Sequence, residues 1–161
     1  MSKSLRLSPP LFFIVEDSPI IRELVEFTLR KMMFCNVIKY STALDALKAL
    51  TIITPDLIVL DYALDNDKKN APNGLLFLEK MKKLKLKIPT IVFSGQNKKN
   101  VAINMIRNGA IDYVSKDSEM FIDELMGAIN GALEYRSNSC EIDARRISKL
   151  RKLRQTRSEL F

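Results

Sequence analysis

The sequence predicts an α/β fold, a parallel sheet covered by helices on both faces. Three observations predict it. Five short apolar runs are spaced along the chain, helical patterns lie between them, and the runs are continuously apolar, as in strands buried on both sides.

The runs are 11–15 (LFFIV), 36–40 (NVIKY), 57–61 (LIVLD), 89–93 (PTIVF) and 111–115 (IDYVS). After the first run, Ser18 is placed to cap a helix and Pro19 to open it, where a missing N–H costs nothing. In that helix Ile21, Leu24, Val25, Leu29 and Met32 recur at helical spacing and predict one buried face. A second helix is expected over about 43–51, and a third from Gly74 into the lysine-rich stretch KMKKLKLK. The fourth, about 98–108, should stop at Asn108-Gly109, a left-handed terminator. The fifth, about 118–136, carries Phe121, Leu125, Ala128, Ile129, Ala132 and Leu133 on one face.

At 161 residues, 47% apolar and 28% charged, the chain suits one globular domain and a tail. No window approaches the ~18 apolar residues of a membrane span, so no membrane partner is expected. The start, MSKSLRLSPP, lacks the apolar core of a signal peptide, and a reducing cytoplasm is the expected location. There is no histidine, and Cys35 and Cys140 share no metal-ligand spacing, which excludes Ser-His-Asp and Cys-His catalysis and most zinc sites. The net charge of +7 is concentrated at one end: seven basic residues against Glu159 leave 144–161 at +6, and 1–143 at +1. A basic end suits nucleic acid, an anionic surface or an acidic partner, and more often is simply a solvated helix face.

In parallel sheets ligands bind beyond the carboxyl ends of the strands, which directs attention to Glu16, Asp17, Asp61, Ser94 and Lys116. Three carboxylates brought together there need a cation among them, and Mg²⁺ suits a hard oxygen site. Asp61 is then a candidate nucleophile toward a phosphoryl group, with Lys116 to neutralise the transferring oxygens and Ser94 to hydrogen-bond one of them.

These residues, in the settings IVEDS, PDLIVLDY, IVFSG and NGAIDYVSK with Pro89 before strand four, resemble the receiver domain of two-component response regulators over about 10–136. The resemblance implies a doubly wound five-stranded sheet of (βα)5 flavodoxin-like type, in strand order 2-1-3-4-5. It implies Asp61 as phospho-acceptor and Glu16, Asp17, Asp61 and the backbone carbonyl of Ala63 as Mg²⁺ ligands. Lys116 and Ser94 become phosphoryl contacts, and Ser94 and Tyr113 the switch pair. The implied partner is a sensor histidine kinase or phosphotransfer protein. A homodimer through the face of helix four, strand five and helix five is a further implication. The resemblance also implies that the domain catalyses its own phosphorylation and dephosphorylation but acts on no outside substrate as a conventional enzyme does. A degenerate receiver, binding partners without phosphorylation, is the alternative reading.

Three departures from the family pattern stand out. Asp117 follows Lys116 where proline is usual, the stretch from Asp61 to Gly74, with LDNDKKNAPNG inserted, is about five residues longer than usual, and Ala63 and Gln96 occupy the positions that tune phosphoryl lifetime. The longer loop is expected to be more exposed than its surroundings. A flavin site would need a phosphate loop where EDSPI stands, and a haloacid-dehalogenase-type phosphatase a second aspartate where Ala63 stands. Domain limits are expected at 1–137 for the receiver and 138–161 for a basic helical tail or linker. LRQTRSELF resembles the opening of a LuxR-type output module, which would make the chain one part of a DNA-binding regulator. The alternative is a single-domain regulator whose tail helix, with Ile147, Leu150 and Leu153, docks on a partner.

Overall fold

The structure, a computed structural model, describes residues 8–64, 73–95 and 99–136. The chain divides into two compact units, Met1–Ile129 and Asn130–Phe161. Gln96, most of the inserted loop (65–72), Cys140 and the basic tail lie outside the described residues.

In the first unit the elements run β1 (Leu11–Val15), α1 (Pro19–Met32), β2 (Asn36–Tyr40), α2 (Ala43–Ala49) and β3 (Leu57–Asp61). They continue with α3 (Gly74–Lys83), β4 (Thr90–Ser94), α4 (Lys99–Arg107) and β5 (Asp112–Ser115). A last helix, α5, occupies 121–136, and its residues to 129 belong to this unit. Of the second unit, the described residues are the helical turns 130–136. All strand pairs are parallel, in the order β2-β1-β3-β4-β5, which is the expected topology.

Alternation along the central strands splits the core in two. Phe13, Val15, Ile58, Leu60 and Val92 join Leu47, Phe77, Met81 and Met105 in a cluster with α2, α3 and α4. Their strand neighbours Phe12, Ile14, Leu57, Val59, Ile91 and Phe93 are equally buried and supply the opposite face. On that side α1 contributes Val25 and Leu29, and α5 contributes Phe121, Leu125, Met126 and Ile129. Caps follow the sequence signals: Ser18, Thr42 and Asn73 each accept a backbone N–H at the start of α1, α2 and α3. Gly109, at φ 105°, takes the left-handed turn that ends α4.

Several expectations need correction. The buried face of α1 is narrower than the periodicity suggests: Val25 and Leu29 are buried, but Leu24 is 41% and Met32 63% exposed. A second row, Ile20, Leu24 and Phe27, instead points to solvent. Ser94 is the last residue of β4 rather than the first beyond it. Helix α2 closes at Ala49 and α5 begins at 121, both shorter than expected. Of the inserted stretch, Leu64 and Gly74 are buried, and the expectation of an exposed loop falls on 65–72, outside the described residues. Among the described residues no helix is long and apolar enough to cross a membrane.

Candidate phosphoryl-transfer site

The register of the sheet brings the acidic residues together. Val15 pairs with Leu60, so Glu16 at the end of β1 comes level with Asp61 at the end of β3. One ligand oxygen from each of Glu16, Asp17 and Asp61 lies within 4.8 Å of the others. Glu16 and Asp61 are buried, and Asp17 is exposed.

Lys116, in the turn after β5, reaches into this cluster from 100 residues away in sequence. Its Nζ stands 2.6 Å from Glu16 Oε2 and 3.1 Å from Asp61 Oδ1. Glu16 Oε1 accepts the backbone N–H of Ser18 at 2.9 Å, so both of its oxygens are engaged. Asp61 Oδ1 also accepts the backbone N–H of Ala63 at 3.2 Å. No buried side-chain polar atom among the described residues lacks a hydrogen-bond partner.

Electrostatics follow from burial. Loss of water pushes the Glu16 carboxyl up from 4.5 to about 7, the Asp61 charge adds to the rise, and Lys116 opposes it. Asp61 is raised as well, first by burial, against the pull of Lys116. When all three carboxylates are ionised, the one ammonium leaves two negative charges at the sheet edge. That is a donor set of hard oxygens whose charge matches one divalent cation, and one that can coordinate it from an exposed side through Asp17.

The other predicted residues take separate places. Ser94 is fully buried, pairs in register with Ser115, and its carbonyl accepts the Lys116 backbone N–H at 2.8 Å. Ala63 lies two residues after Asp61 in the turn out of β3 and is half-buried. Tyr113 pairs with Val92 and packs, half-buried, against the core cluster on the α2–α4 side. Asp117 is exposed, so its charge faces water beside the site.

Two contributors escaped the sequence reading. Arg22 donates from Nη1 to the carbonyls of Glu16 at 2.7 Å and Asp17 at 3.3 Å, clamping the loop that carries the acidic pair. The available signal was position: helical side chains lean toward the N-terminus, so an arginine four residues after an N-cap overhangs the preceding loop. Phe93 is the other, with its ring 4.4 Å below Lys116 Nζ.

Comparison with known proteins agrees with this geometry. Residues 12–130 match the response regulator receiver domain. The DNA-binding transcriptional regulator NtrC of Proteus hauseri is 28% identical over 124 residues, 76% of this chain and 24% of that protein. A protein-glutamate methylesterase/protein-glutamine glutaminase of Clostridium acetobutylicum is 31% identical over 135 residues, 78% of this chain and 37% of that protein. The chain therefore spans well under half the length of these relatives. Among solved structures, NtrX of Brucella abortus in complex with ADP superposes with a TM-score of 0.72 at 27% identity, covering 84% of this chain and 30% of that one. A CheY-like receiver domain protein of Methanospirillum hungatei shares the fold with a TM-score of 0.70 at 21% identity, covering 82% of this chain and 99% of that one. A match over most of the chain, in a fold of the same strand order and with the acidic cluster at its sheet edge, shows that the chain belongs to the response regulator receiver domain family.

Proposed function

We propose that Asp61 accepts a phosphoryl group from a sensor histidine kinase or phosphotransfer protein, and that the phosphorylated domain switches conformation to control an output. The observation that carries this reading is the convergence of Glu16, Asp17 and Asp61 within 4.8 Å, with Lys116 bonded to two of them.

The chemistry is a displacement at phosphorus. Asp61 Oδ2, the oxygen not engaged by Ala63 and Lys116, supplies the electron pair for the new P–O bond. The P–N bond to the donor histidine breaks, and the imidazole departs neutral when its other ring nitrogen carries a proton. Lys116, held within reach of Asp61 by its pairing with Glu16, would neutralise charge on the transferring oxygens. Glu16, Asp17 and Asp61, with the Ala63 carbonyl, would hold Mg²⁺. When bound, the cation offsets the charge of the acidic cluster and of the incoming phosphoryl oxygens. Burial of Asp61 limits attack by bulk water on the acyl phosphate.

Ser94, buried and tied through its carbonyl to Lys116, is assigned the switch hydroxyl, and Tyr113 the switch ring. Exposed Ile103 and Ile106 on α4 and Ile111 just before β5 support a contact surface along α4, β5 and α5, where a second copy would dock. The proposed receiver spans 1–137 and the tail 138–161, with DNA as a partner only through a further output module.

The test is Mg²⁺-dependent labelling by small phosphodonors such as phosphoramidate and acetyl phosphate. The chain should incorporate one phosphoryl group, and Asp61→Asn none. Labelling that persists in Asp61→Asn removes the acceptor assignment. No labelling of the unmodified chain by any donor favours a receiver that works through binding alone.

A further inference from the structure

Lysine is a poor fixed point. Its ammonium rides on a flexible four-carbon stem, and an ion pair constrains where it sits only while the partner carboxylates stay charged and still. Lys116 has a third contact that does not depend on them. Its Nζ lies 4.4 Å from the centroid of the Phe93 ring, within the range of a cation–π interaction. The ring is fully buried, so the contact is desolvated on the protein side.

Strand register explains the placement. Asp61 and Phe93 are direct partners across the β3–β4 ladder. Phe93 follows Ile91 by two residues and Asp61 follows Val59 by two, so both belong to the set facing α1 and α5. The ring is therefore a floor beside the acceptor, and Lys116 lies over it with its charge directed to Glu16 and Asp61.

The ring is itself held. Phe121, at the start of α5, stacks on Phe93 with centroids 6.1 Å apart and planes 21° from parallel. One ring thus touches both ends of the turn Lys-Asp-Ser-Glu-Met that joins β5 to α5. That turn contains no proline and leans on short hydrogen-bonded steps: Phe121 N–H to the Ser118 carbonyl at 3.0 Å, and Met120 N–H to Ser118 Oγ at 3.2 Å. Clamping its two ends to one buried ring fixes the height of the lysine above the sheet.

We infer that Phe93, braced by Phe121, is a positioning residue that seats the Lys116 ammonium for phosphoryl transfer at Asp61. The inference rests on the phospho-acceptor reading and adds a residue to it. Its consequence is graded: a ring with less electron density on its face should seat the ammonium less well with little change in shape.

The experiment places phenylalanine, 4-fluorophenylalanine, difluorophenylalanine or trifluorophenylalanine at position 93 of the 161-residue chain by site-specific incorporation. Initial labelling rates by phosphoramidate are measured over a range of donor concentrations at saturating Mg²⁺. The maximal rate should fall stepwise with fluorination, by about two- to thirty-fold at the trifluoro ring, the range set by a cation–π contact of this kind. The donor concentration for half-maximal rate should hold steady. The same series at buried Phe12 should change nothing. A second readout needs no phosphorylation: the Lys116 ε-methylene protons should show an upfield ring-current shift by NMR, lost in Phe93→Leu. If the unmodified chain takes no label, the acceptor reading fails and this shift alone decides whether Phe93 seats the lysine. Rates flat across the series in a chain that labels, or ε-methylene protons at their free-lysine position, overturn the proposal.

Discussion

At the scale of single residues, Glu16 is the group with the clearest consequence. Its carboxyl titrates at about 7 in the folded chain against 4.5 when free, because burial and Asp61 outweigh Lys116. A raised carboxyl means the folded state binds the proton more tightly than the unfolded state. The stability this confers is complete below about 4.5 and is lost as pH rises toward 7. Asp61 is raised too and acts with the same sign, whereas Glu26, lowered by its bonds to Lys39 and Arg30, acts only below the ordinary carboxylate range. In chelator, then, the thermal midpoint should fall between pH 4.5 and 7, and Glu16→Gln should flatten most of that slope. Melting curves at fixed ionic strength read this directly. An unchanged slope in Glu16→Gln would assign the pH dependence elsewhere. Added Mg²⁺ should erase the slope in the unmodified chain, since cation binding expels the proton.

At the scale of elements, the joint between β3 and α3 is the tightest. A Cβ on Gly74 would stand 2.7 Å from the Asp61 carbonyl oxygen and 2.8 Å from Tyr62 Cα, both backbone atoms that cannot rotate away. The Gly74 N–H donates to the Tyr62 carbonyl at 3.1 Å, so the helix start is stitched to the residue after Asp61. Gly74→Ala should therefore cost about 1–3 kcal/mol in urea melts and reduce labelling with it. Gly127→Ala, on exposed helix with nothing within 4 Å of the new methyl, should instead stabilise by roughly 0.4–1 kcal/mol. Equal effects at the two glycines would contradict the close approach.

The same joint shows what the sequence could and could not convey about elements. All five strands lie within a residue of the apolar runs, because a strand buried on both faces leaves no other place for runs such as LIVLD. The face of α1 was misjudged because apolar residues occupy more of its circumference than the sheet covers. Leu24 precedes Val25 by one residue and so swings about 100° off the buried line. The acidic ends of β1 and β3 were legible as a site because a carboxylate that closes a buried strand must find water, a cationic side chain or a metal ion. Phe93 was not, since a phenylalanine in a core strand reads as packing until the lysine above it is placed.

At the scale of the molecule, the site exists only when the sheet does. Glu16 and Asp17 leave β1, Asp61 ends β3, and Lys116 follows β5, so their meeting requires β1, β3, β4 and β5 to be paired in that order. A cation held by this cluster finds no equivalent in the unfolded chain, and its binding energy becomes folding stability. Mg²⁺ at one hundred times its dissociation constant should add about 2.7 kcal/mol to unfolding. Asp17 separates this effect from ordinary packing, because it is exposed while its partners are buried. Asp17→Asn should melt within about 0.5 kcal/mol of the unmodified chain in chelator, as surface substitutions do, yet gain little from Mg²⁺. Matched additions of NaCl isolate simple screening, which acts on both proteins alike. If Asp17→Asn gains as much as the unmodified chain, the cation is bound elsewhere and the acidic cluster is not its site. If only the unmodified chain gains, the exposed carboxylate is the open side through which the folded sheet takes its metal.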